Sequence, residues 1–271
     1  MDLMLQDKVA LITASSRGLG YATAKTLAAE GAHVIICSRS QEAVDRAAAQ
    51  LRRELAGPQP RATAVEVLPV AADVTQSDAI ERLRDITLER FGRIDALFIN
   101  AGGPPPGGFM DFKPADWETA TQLTIQSAVE LAYACIPTMQ AQGGGSILAN
   151  TSVTVRHPLD NLILSNSLRM AVVGLVKSLS IELGPDNIRV NAIAPGWTRT
   201  ERVDNLLDAR AKAHGSTPEQ ESEQIAASVP LGRIGEPEEY ARVAAFLLSP
   251  AASYVTGVTL AVDGGMTRAV L

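Results

Sequence analysis

Cysteine, aromatic residues and long apolar runs are all scarce in this chain of 271 residues. Two cysteines, Cys37 and Cys135, are too few for a disulfide framework or a metal cluster, so we interpret both as buried thiols in a reducing compartment. Aromatic residues make up only 4% of the chain against 46% hydrophobic residues, which predicts an aliphatic core. No apolar run approaches the roughly 20 residues that cross a bilayer, so we expect no membrane span.

Excess positive charge is also missing. The formal net charge is −6 and the basic residues are scattered, which argues against nucleic acid as a partner. The first four residues, Met1-Asp2-Leu3-Met4, lack the cationic start of a secretory signal. We therefore expect a cytoplasmic protein that does not bind nucleic acid.

Apolar strands alternate with amphipathic helices along nearly the whole chain. This alternation predicts a single α/β domain over residues 1–271, a doubly wound Rossmann-type fold in which about seven parallel strands carry helices on both faces. The predicted strands are 9–12, 33–37, 65–70, 94–99, 146–150, 188–193 and 258–262. The predicted helices are 21–30, 41–55 (ended by 57–60), 78–90, about 115–140, about 161–182, 201–228 and 238–248.

A glycine-bearing turn joins the first strand to the first helix. Gly18 and Gly20 follow the strand, and a helix N-terminus offers unpaired N–H groups to a phosphate. A side chain at either glycine would hold a pyrophosphate or the neighbouring strand too far away. A glycine pair after a strand is more often a plain turn, but its place at the first strand of a long α/β pattern favours a dinucleotide site.

The turn Thr13-Ala14-Ser15-Ser16-Arg17-Gly18-Leu19-Gly20 resembles the Thr-Gly-x-x-x-Gly-x-Gly loop of the short-chain dehydrogenase/reductase family. Ala14 stands where that family usually has its first glycine. The resemblance extends from Lys8 to Gly265 through three further motifs: Asn100-Ala101-Gly102, Arg189-Val190-Asn191-Ala192-Ile193-Ala194-Pro195-Gly196 and Val262-Asp263-Gly264-Gly265. It implies hydride transfer between a nicotinamide and a carbonyl or alcohol, similar to the 3-oxoacyl-carrier-protein reductases, and a homotetramer.

The end of the second strand decides which nicotinamide cofactor we expect. Relatives that bind NAD place an acidic residue there to hold the ribose 2′-hydroxyl. This chain instead reads Cys37-Ser38-Arg39, whose hydroxyl and guanidinium suit a 2′-phosphate. Arg17 could reach the same phosphate from the other side. A lone arginine can also simply solvate a strand end, but two arginines without an acid favour NADP(H).

The resemblance assigns further residues to the cofactor. Asp73 and Val74 would flank the adenine, Arg169 would lie near the nicotinamide ribose, and Thr198 or Thr200 would meet the carboxamide. The remaining expected contacts come from the motifs: Thr13, Ser15, Ser16, Arg17, Gly18, Leu19, Gly20, Asn100, Ala101, Gly102, Pro195 and Gly196.

The catalytic positions depart from the family. The family uses a serine, a tyrosine thirteen residues on, a lysine four residues later and an asparagine in the fourth helix. Ser152 matches the serine, but the tyrosine and lysine positions hold Ser165 and Arg169, and the asparagine position, counted from Trp117, holds Thr124. The register is fixed because residues 174–180 continue the family pattern without a gap.

These changes alter proton transfer more than cofactor binding. The hydroxyl of Ser165 is far less acidic than a phenol, and Arg169 keeps a positive charge but does not shuttle a proton. His157, beside Arg156 in the loop before the fifth helix, titrates in the useful range and could be a replacement acid. A lone loop histidine is more often just solvated.

Two segments are expected to enclose the substrate. The glycine- and proline-rich stretch 103–108 would form a stiff pocket wall, and residues 197–230, beginning with Trp197, would form a helical lid. Two functions remain open at this point. One is an NADP(H)-dependent oxidoreductase acting on a small carbonyl or acyl-thioester substrate with nonstandard proton transfer. The other is a dinucleotide-binding sensor or partner subunit that has lost catalysis.

Overall fold

The computed structural model describes residues 1–56 and 65–269. Over these residues seven parallel strands form one sheet in the order β3-β2-β1-β4-β5-β6-β7. The order reverses between β1 and β4, which is the crevice where open α/β sheets bind their ligands. The predicted doubly wound fold is confirmed.

The strands fall close to their predicted positions, at Val9–Ile12, His33–Ser38, Val67–Ala71, Ala96–Ile99, Gly145–Asn150, Ile188–Pro195 and Thr259–Val262 (β1 to β7). The helices α1 to α9 are Gly18–Ala29, Gln41–Leu55, Ser77–Phe91, Pro114–Thr121, Ser127–Ala141, Ile163–Glu182, Glu201–His214, Pro218–Ser228 and Pro237–Leu248. The predicted end of α2 at residues 57–60 lies outside the described residues.

The fourth strand begins two residues later than predicted, at Ala96 and not at residue 94. The residue immediately before it, Asp95, is nevertheless bonded to both neighbouring strands. Its N–H donates to the carbonyl of Val9 (2.8 Å), and its carbonyl accepts from the N–H of Ser146 (2.9 Å). Its carboxylate accepts a further hydrogen bond from the N–H of Val9 at the start of β1 (2.9 Å).

Helices cover both faces of the sheet because alternate residues of the central strands point to opposite sides. Leu11, Ile35 and Leu97 belong to a core cluster with α3, α5 and α6. Ile12 and Ile36 belong to the opposite cluster, with α1, α2 and α9. Small residues fill many of the remaining core positions, among them Ala24, Ala28, Ala48, Ala244 and Ala245. The core is thus aliphatic, as the composition predicts, and contains few aromatic side chains.

The predicted fourth helix, 115–140, is interrupted. A π-helical turn at Gln122–Gln126 separates α4 from α5, so the element is two α-helices joined by one widened turn. Thr124 lies buried in this turn, and its hydroxyl has no hydrogen-bond partner within the described part of the chain. π-turns of this kind are frequent at functional sites.

The predicted helical excursion 201–228 consists of two helices. Gly215, at φ +68°, ends α7, and Thr217 caps α8. Buried Glu221 holds the pair together by accepting hydrogen bonds from Arg210 Nε (2.9 Å) and Ser216 Oγ (2.6 Å), with His214 Nδ1 at 2.8 Å. These contacts lower the pKa of Glu221 to about 2, Ser216 contributing most. We refer to α7 and α8 as the helical pair.

Both cysteines are buried and free, as the sequence predicts. Burial raises the pKa of Cys37 and that of Cys135 to about 12, so both remain protonated thiols at neutral pH. Among the described residues, no helix is long and apolar enough to cross a membrane. In the same part of the chain, no three His, Cys, Asp or Glu side chains gather into a possible metal site.

Candidate active site

The predicted site residues gather where β1, β4, β5 and β6 end. Parallel pairing brings these carboxyl ends to one edge of the sheet, where Ile12 is opposite Phe98, Ile99 opposite Ala149 and Asn150 opposite Ile193. The loop after β1 therefore lies beside the stretch 100–102 after β4, and Ser152 follows β5 at the same edge. The sheet topology brings the cofactor and catalytic motifs together.

The loop after β1 is fixed by hydrogen bonds to the end of β4. The hydroxyl of Thr13 donates to the carbonyl of Asn100 (2.6 Å) and accepts from the Asn100 N–H (2.8 Å). The amide Nδ2 of Asn100 donates to the carbonyl of Ala14 (3.2 Å), and Ser15 Oγ donates to the carbonyl of Ile12 (2.7 Å). Ala14 has φ +46°, a left-handed conformation that costs a non-glycine residue about 1–2 kcal/mol. The family glycine is replaced, but the glycine-like backbone is kept.

The N-terminus of α1 fits a dinucleotide phosphate. No side chain of the described residues caps this end of the helix, so its first N–H groups remain available to a ligand. A Cβ at Gly20 would lie 2.5 Å from the Ala14 carbonyl oxygen and 3.0 Å from Asn100 Nδ2. Gly18 adopts φ +57°, and a Cβ there would lie 3.6 Å from Thr200 Cγ2 at the start of α7. The approach of helix to loop therefore requires glycine at position 20.

The residues expected around the adenosine are spread along the neighbouring strand ends. Arg39 is exposed at the end of β2, and Ser38 Oγ donates to the carbonyl of Ser40 (2.9 Å). The carboxylate of Asp73 accepts from the N–H (3.0 Å) and hydroxyl (2.8 Å) of Thr75, and the neighbouring Val74 is buried.

Arg17, the second arginine expected at the 2′-phosphate, forms an ion pair with Glu201 of α7, and both side chains are largely exposed.

Ser165 and Arg169 form a bonded pair one turn apart on α6. Arg169 Nε donates to Ser165 Oγ (3.2 Å), and Arg169 Nη1 donates to the carbonyl of Asn150 at the end of β5 (3.0 Å). Ser152 Oγ accepts from the N–H of Thr154 (3.2 Å). Within the described residues neither serine hydroxyl donates a hydrogen bond, so both hydrogens are available to a substrate oxygen.

A second arginine, Arg202, reinforces the positive charge of the site. Burial, and next the charge of Arg202, lower the pKa of Arg169 to about 10, which leaves it protonated at neutral pH. Arg202 itself donates to the carbonyls of Gly103 (3.1 Å) and Pro104 (3.2 Å), and burial lowers its pKa too. A Cβ at Gly103 would collide with this guanidinium. No motif in the sequence pointed to Arg202, whose bonds connect the 103–108 stretch to the helical pair.

Three predicted residues take less central positions. His157 is exposed after the short turn Val153–Val155, and its ring has no hydrogen bond to any described residue. Arg156 Nη2 donates to the carbonyl of Thr259 on β7 (2.8 Å). Thr124 lies in the π-turn packed beside α6.

The residues after β6 are closely fitted. A Cβ on Gly196, which follows Pro195, would lie 2.8 Å from Asp263 Cα. Buried Thr198 donates to the carbonyl of Gly196 (3.4 Å), and Thr200 donates to that of Thr198 (3.3 Å). The two threonines thus lie in the segment between β6 and α7, and their contact with a carboxamide stays a prediction.

Comparison with known proteins agrees with this geometry. A family model described as Enoyl-(Acyl carrier protein) reductase matches residues 13–267. Dehydrogenase/reductase SDR family member 4 of Sus scrofa is 37% identical over 96% of this chain and 88% of its own length. The chain belongs to the short-chain dehydrogenase/reductase family.

Solved structures of this family share the whole fold. L-sorbose reductase from Gluconobacter frateurii, complexed with NADPH and L-sorbose, has a TM-score of 0.92 at 33% identity, covering 100% of both chains. A 7α-hydroxysteroid dehydrogenase complexed with NADH and 7-oxo glycochenodeoxycholic acid has a TM-score of 0.84 at 32% identity, covering 100% of this chain and 98% of that one. Similar structures therefore hold either nicotinamide cofactor.

Gly20→Ala tests the close approach at the dinucleotide loop. The new methyl group would meet backbone, the Ala14 carbonyl, so the loop must shift, and we expect a stability loss of about 1–3 kcal/mol. NADPH affinity should fall at least about tenfold. Thermal unfolding and nucleotide titration measure the two effects.

Gly174→Ala on α6 is the matched control, because a Cβ there meets nothing within 4 Å. This helix position should gain about 0.5–1 kcal/mol from alanine without a change in NADPH affinity. Equal behaviour of the two variants would contradict the assignment of the loop.

Proposed function

We propose that this chain is an NADP(H)-dependent oxidoreductase that transfers a hydride between nicotinamide and a carbonyl or alcohol carbon. The observation that carries the proposal is the bonded pair of Ser165 and Arg169 beside Ser152, at the same sheet edge as an intact dinucleotide loop. In this proposal the hydroxyls of Ser152 and Ser165 and the charge of Arg169 act together on a substrate oxygen.

The choice of NADP(H) rests on the end of β2. No carboxylate follows that strand directly, and Ser38 and exposed Arg39 are positioned to bind a 2′-phosphate. The L-sorbose reductase bound to NADPH supports this choice. The 7α-hydroxysteroid dehydrogenase bound to NADH shows that the fold alone does not determine which of the two cofactors is bound. Exposed ion pairs such as Arg17 with Glu201 contribute only about 0–1 kcal/mol, so Arg17 is free to turn to the same phosphate.

The chain's own groups stabilise the charge that develops on the substrate oxygen. NADPH, when bound, would supply a hydride, with its electron pair, for the carbonyl carbon, so negative charge would develop on the carbonyl oxygen. Ser152 and Ser165 donate hydrogen bonds to that oxygen. Because Arg169 Nε occupies a lone pair of Ser165, the hydroxyl hydrogen is directed elsewhere, and the guanidinium charge favours the oxyanion.

Proton transfer by Ser165 suits reduction better than oxidation. An alkoxide formed by reduction is about as basic as a serine alkoxide, so Ser165 can pass its proton to the product and take another from water. Oxidation of an alcohol needs a base, and neither a serine hydroxyl nor protonated Arg169 provides one near neutral pH. His157 remains the alternative acid.

The substrate we propose is a small carbonyl compound or an acyl thioester of the 3-oxoacyl type. It would bind between the 103–108 wall and the helical pair, which Arg202 connects. We also propose a homo-oligomer, as the family resemblance implies, because large apolar side chains are exposed on α5, α6 and β7: Tyr133, Met170, Ile181 and Leu260.

A binding protein without turnover is the second candidate. It is favoured by the lack of an acidic phenol: the tyrosine that approaches Arg169, Tyr240, is buried, its hydroxyl donates to Asn150, and burial raises its pKa well above 10. In such a protein the Ser165–Arg169 pair would only support the nicotinamide ribose.

Turnover separates the two candidates. With ketones, aldehydes and 3-oxoacyl thioesters, we expect the protein to oxidise NADPH with at least one substrate, and Ser165→Ala to reduce kcat by about 10²-fold or more because a charge-stabilising donor is lost. Absorbance at the NADPH band follows the reaction. Tight NADPH binding with no turnover of any substrate would favour the second candidate.

Arg39→Asp tests the cofactor assignment. The parent should bind NADPH about tenfold or more tightly than NADH, since a charge-assisted contact to a phosphate contributes about 1.5–3 kcal/mol. A carboxylate at position 39 should repel the 2′-phosphate and reverse or abolish this preference. Arg46→Asp, at an exposed position on α2, is the control for the change in net charge. Equal affinity of the parent for both nucleotides would contradict the assignment.

The pH dependence of kcat/KM identifies the proton donor. With serine hydroxyls as donors, we expect a flat profile from about pH 6 to about pH 9, where neither Ser165 nor Arg169 titrates. Activity should fall as the pH passes about 10, where Arg169 loses its charge. A pH profile that differs between the parent and His157→Ala would instead assign the proton to His157.

A further inference from the structure

A chain of partly buried hydrogen bonds connects the last helix to the dinucleotide loop. Tyr240 on α9 is 1% exposed, and its hydroxyl donates to Asn150 Oδ1 (2.8 Å). Asn150 Nδ2 donates to Asn100 Oδ1 (2.8 Å), and Asn100 Nδ2 donates to the carbonyl of Ala14 (3.2 Å). We call Tyr240, Asn150 and Asn100 the relay.

The direction of every bond in the relay is fixed by its last acceptor. The Ala14 carbonyl can only accept, so Asn100 must present its NH₂ group there and its oxygen to Asn150. Asn150 must then present its own NH₂ group to Asn100 and its oxygen to Tyr240. The phenol is therefore required as a donor, and both amide orientations follow from the chemistry of the network.

The relay ends at a strained position. Ala14 is held at φ +46° without the freedom of glycine, and its carbonyl is the group that Gly20 packs against. Strained backbone persists only where its surroundings hold it. Asn150 also holds Arg169, because its main-chain carbonyl accepts from Arg169 Nη1 (3.0 Å). The same residue thus touches the supports of both the phosphate loop and the catalytic pair.

We propose that Tyr240 is a positioning residue for the dinucleotide loop, acting through Asn150 and Asn100 to hold Ala14 in its left-handed conformation. This inference rests on the proposed nucleotide site. The inference gives Tyr240, a core side chain 226 residues after Ala14 in the sequence, a role in the nucleotide site.

Tyr240 does not act as the missing acid. Burial raises its pKa well above the ordinary value, and the nearby charge of Arg169 lowers it by less. Its hydroxyl hydrogen is directed at Asn150, and the ring belongs to the core cluster that contains α1, α2 and α9. The hydroxyl therefore orients another group and does not supply a proton to the substrate.

Tyr240→Phe removes the hydroxyl and keeps the ring in the core. We expect the dissociation constant for NADPH to rise about 3–10-fold, the range for one lost hydrogen bond. The dissociation constant for 2′-AMP should stay unchanged, because this probe carries the adenine and the 2′-phosphate but no pyrophosphate for the loop. Calorimetric titration with both nucleotides measures this, and thermal unfolding without nucleotide records the stability of each variant.

Thr87→Val is the matched control. Its buried hydroxyl donates to the carbonyl of Leu83 within α3 (2.8 Å), away from the relay, so its loss should lower stability and leave both affinities alone. Asn150→Ala interrupts the relay at a second residue. Combined with it, Tyr240→Phe should cause no further loss of NADPH affinity, because the two changes interrupt one network.

Three outcomes overturn the proposal. Unchanged NADPH affinity in Tyr240→Phe and Asn150→Ala would show that the loop does not depend on the relay. An equal loss for NADPH and 2′-AMP would indicate general destabilisation. In both cases the proposed function stands if the parent binds and turns over NADPH, whereas a parent that binds neither nucleotide would overturn the function and the relay together.

Discussion

The close approach between the carbonyl of Ala14 and the first turn of α1 is the constraint on which the site depends. It places a helix N-terminus, with its free N–H groups, directly over the reversal point of the sheet between β1 and β4. Glycine at position 20 and a left-handed residue at position 14 are both consequences of that short distance. The family glycine at position 14 is not chemically indispensable. The loop needs a left-handed backbone at this position. Hydrogen bonds from neighbouring strands can offset the free energy that this conformation costs a non-glycine residue.

The family resemblance implies a tyrosine and a lysine at positions 165 and 169, and such a pair would differ from Ser165 and Arg169 in geometry as well as in acidity. A guanidinium has several N–H donors in one plane, so Arg169 binds a serine oxygen and a main-chain carbonyl at once. An ammonium on a flexible stem would not fix both partners in this way. The cost is a charge that does not release a proton near neutral pH, even with the pKa lowered to about 10. Arg169 is therefore suited to stabilising an oxyanion, and under the proposed function the proton passes through Ser165 instead.

Local patterns in the sequence were sufficient for the strands, the sheet and the dinucleotide loop, because apolar alternation and glycine spacing depend on neighbours within a few residues. The π-turn around Thr124 could not be predicted, since one widened turn in a helix hardly changes the apolar period. Polar contacts between segments that are distant in the sequence could not be predicted either. Tyr240 lies on the buried face of an amphipathic helix, where a ring is ordinary, and only the fold shows that its hydroxyl meets Asn150. The prediction that Arg17 reaches a 2′-phosphate likewise did not consider Glu201. This residue is distant from Arg17 in the sequence, and only the fold brings its carboxylate close.

The first two residues of α7 connect the helical pair to both sides of the cleft, with unequal strength. Glu201 meets Arg17 on the phosphate side through an exposed ion pair, which water and salt weaken. Arg202, which is exposed, meets the carbonyls of Gly103 and Pro104 on the other side through two hydrogen bonds from its guanidinium. Hydrogen bonds to a charged group contribute about 1.5–3 kcal/mol, more than an exposed ion pair does. Two such bonds join the helical pair to neighbouring carbonyls of the 103–108 wall, whereas an exposed ion pair joins it to the segment before α1.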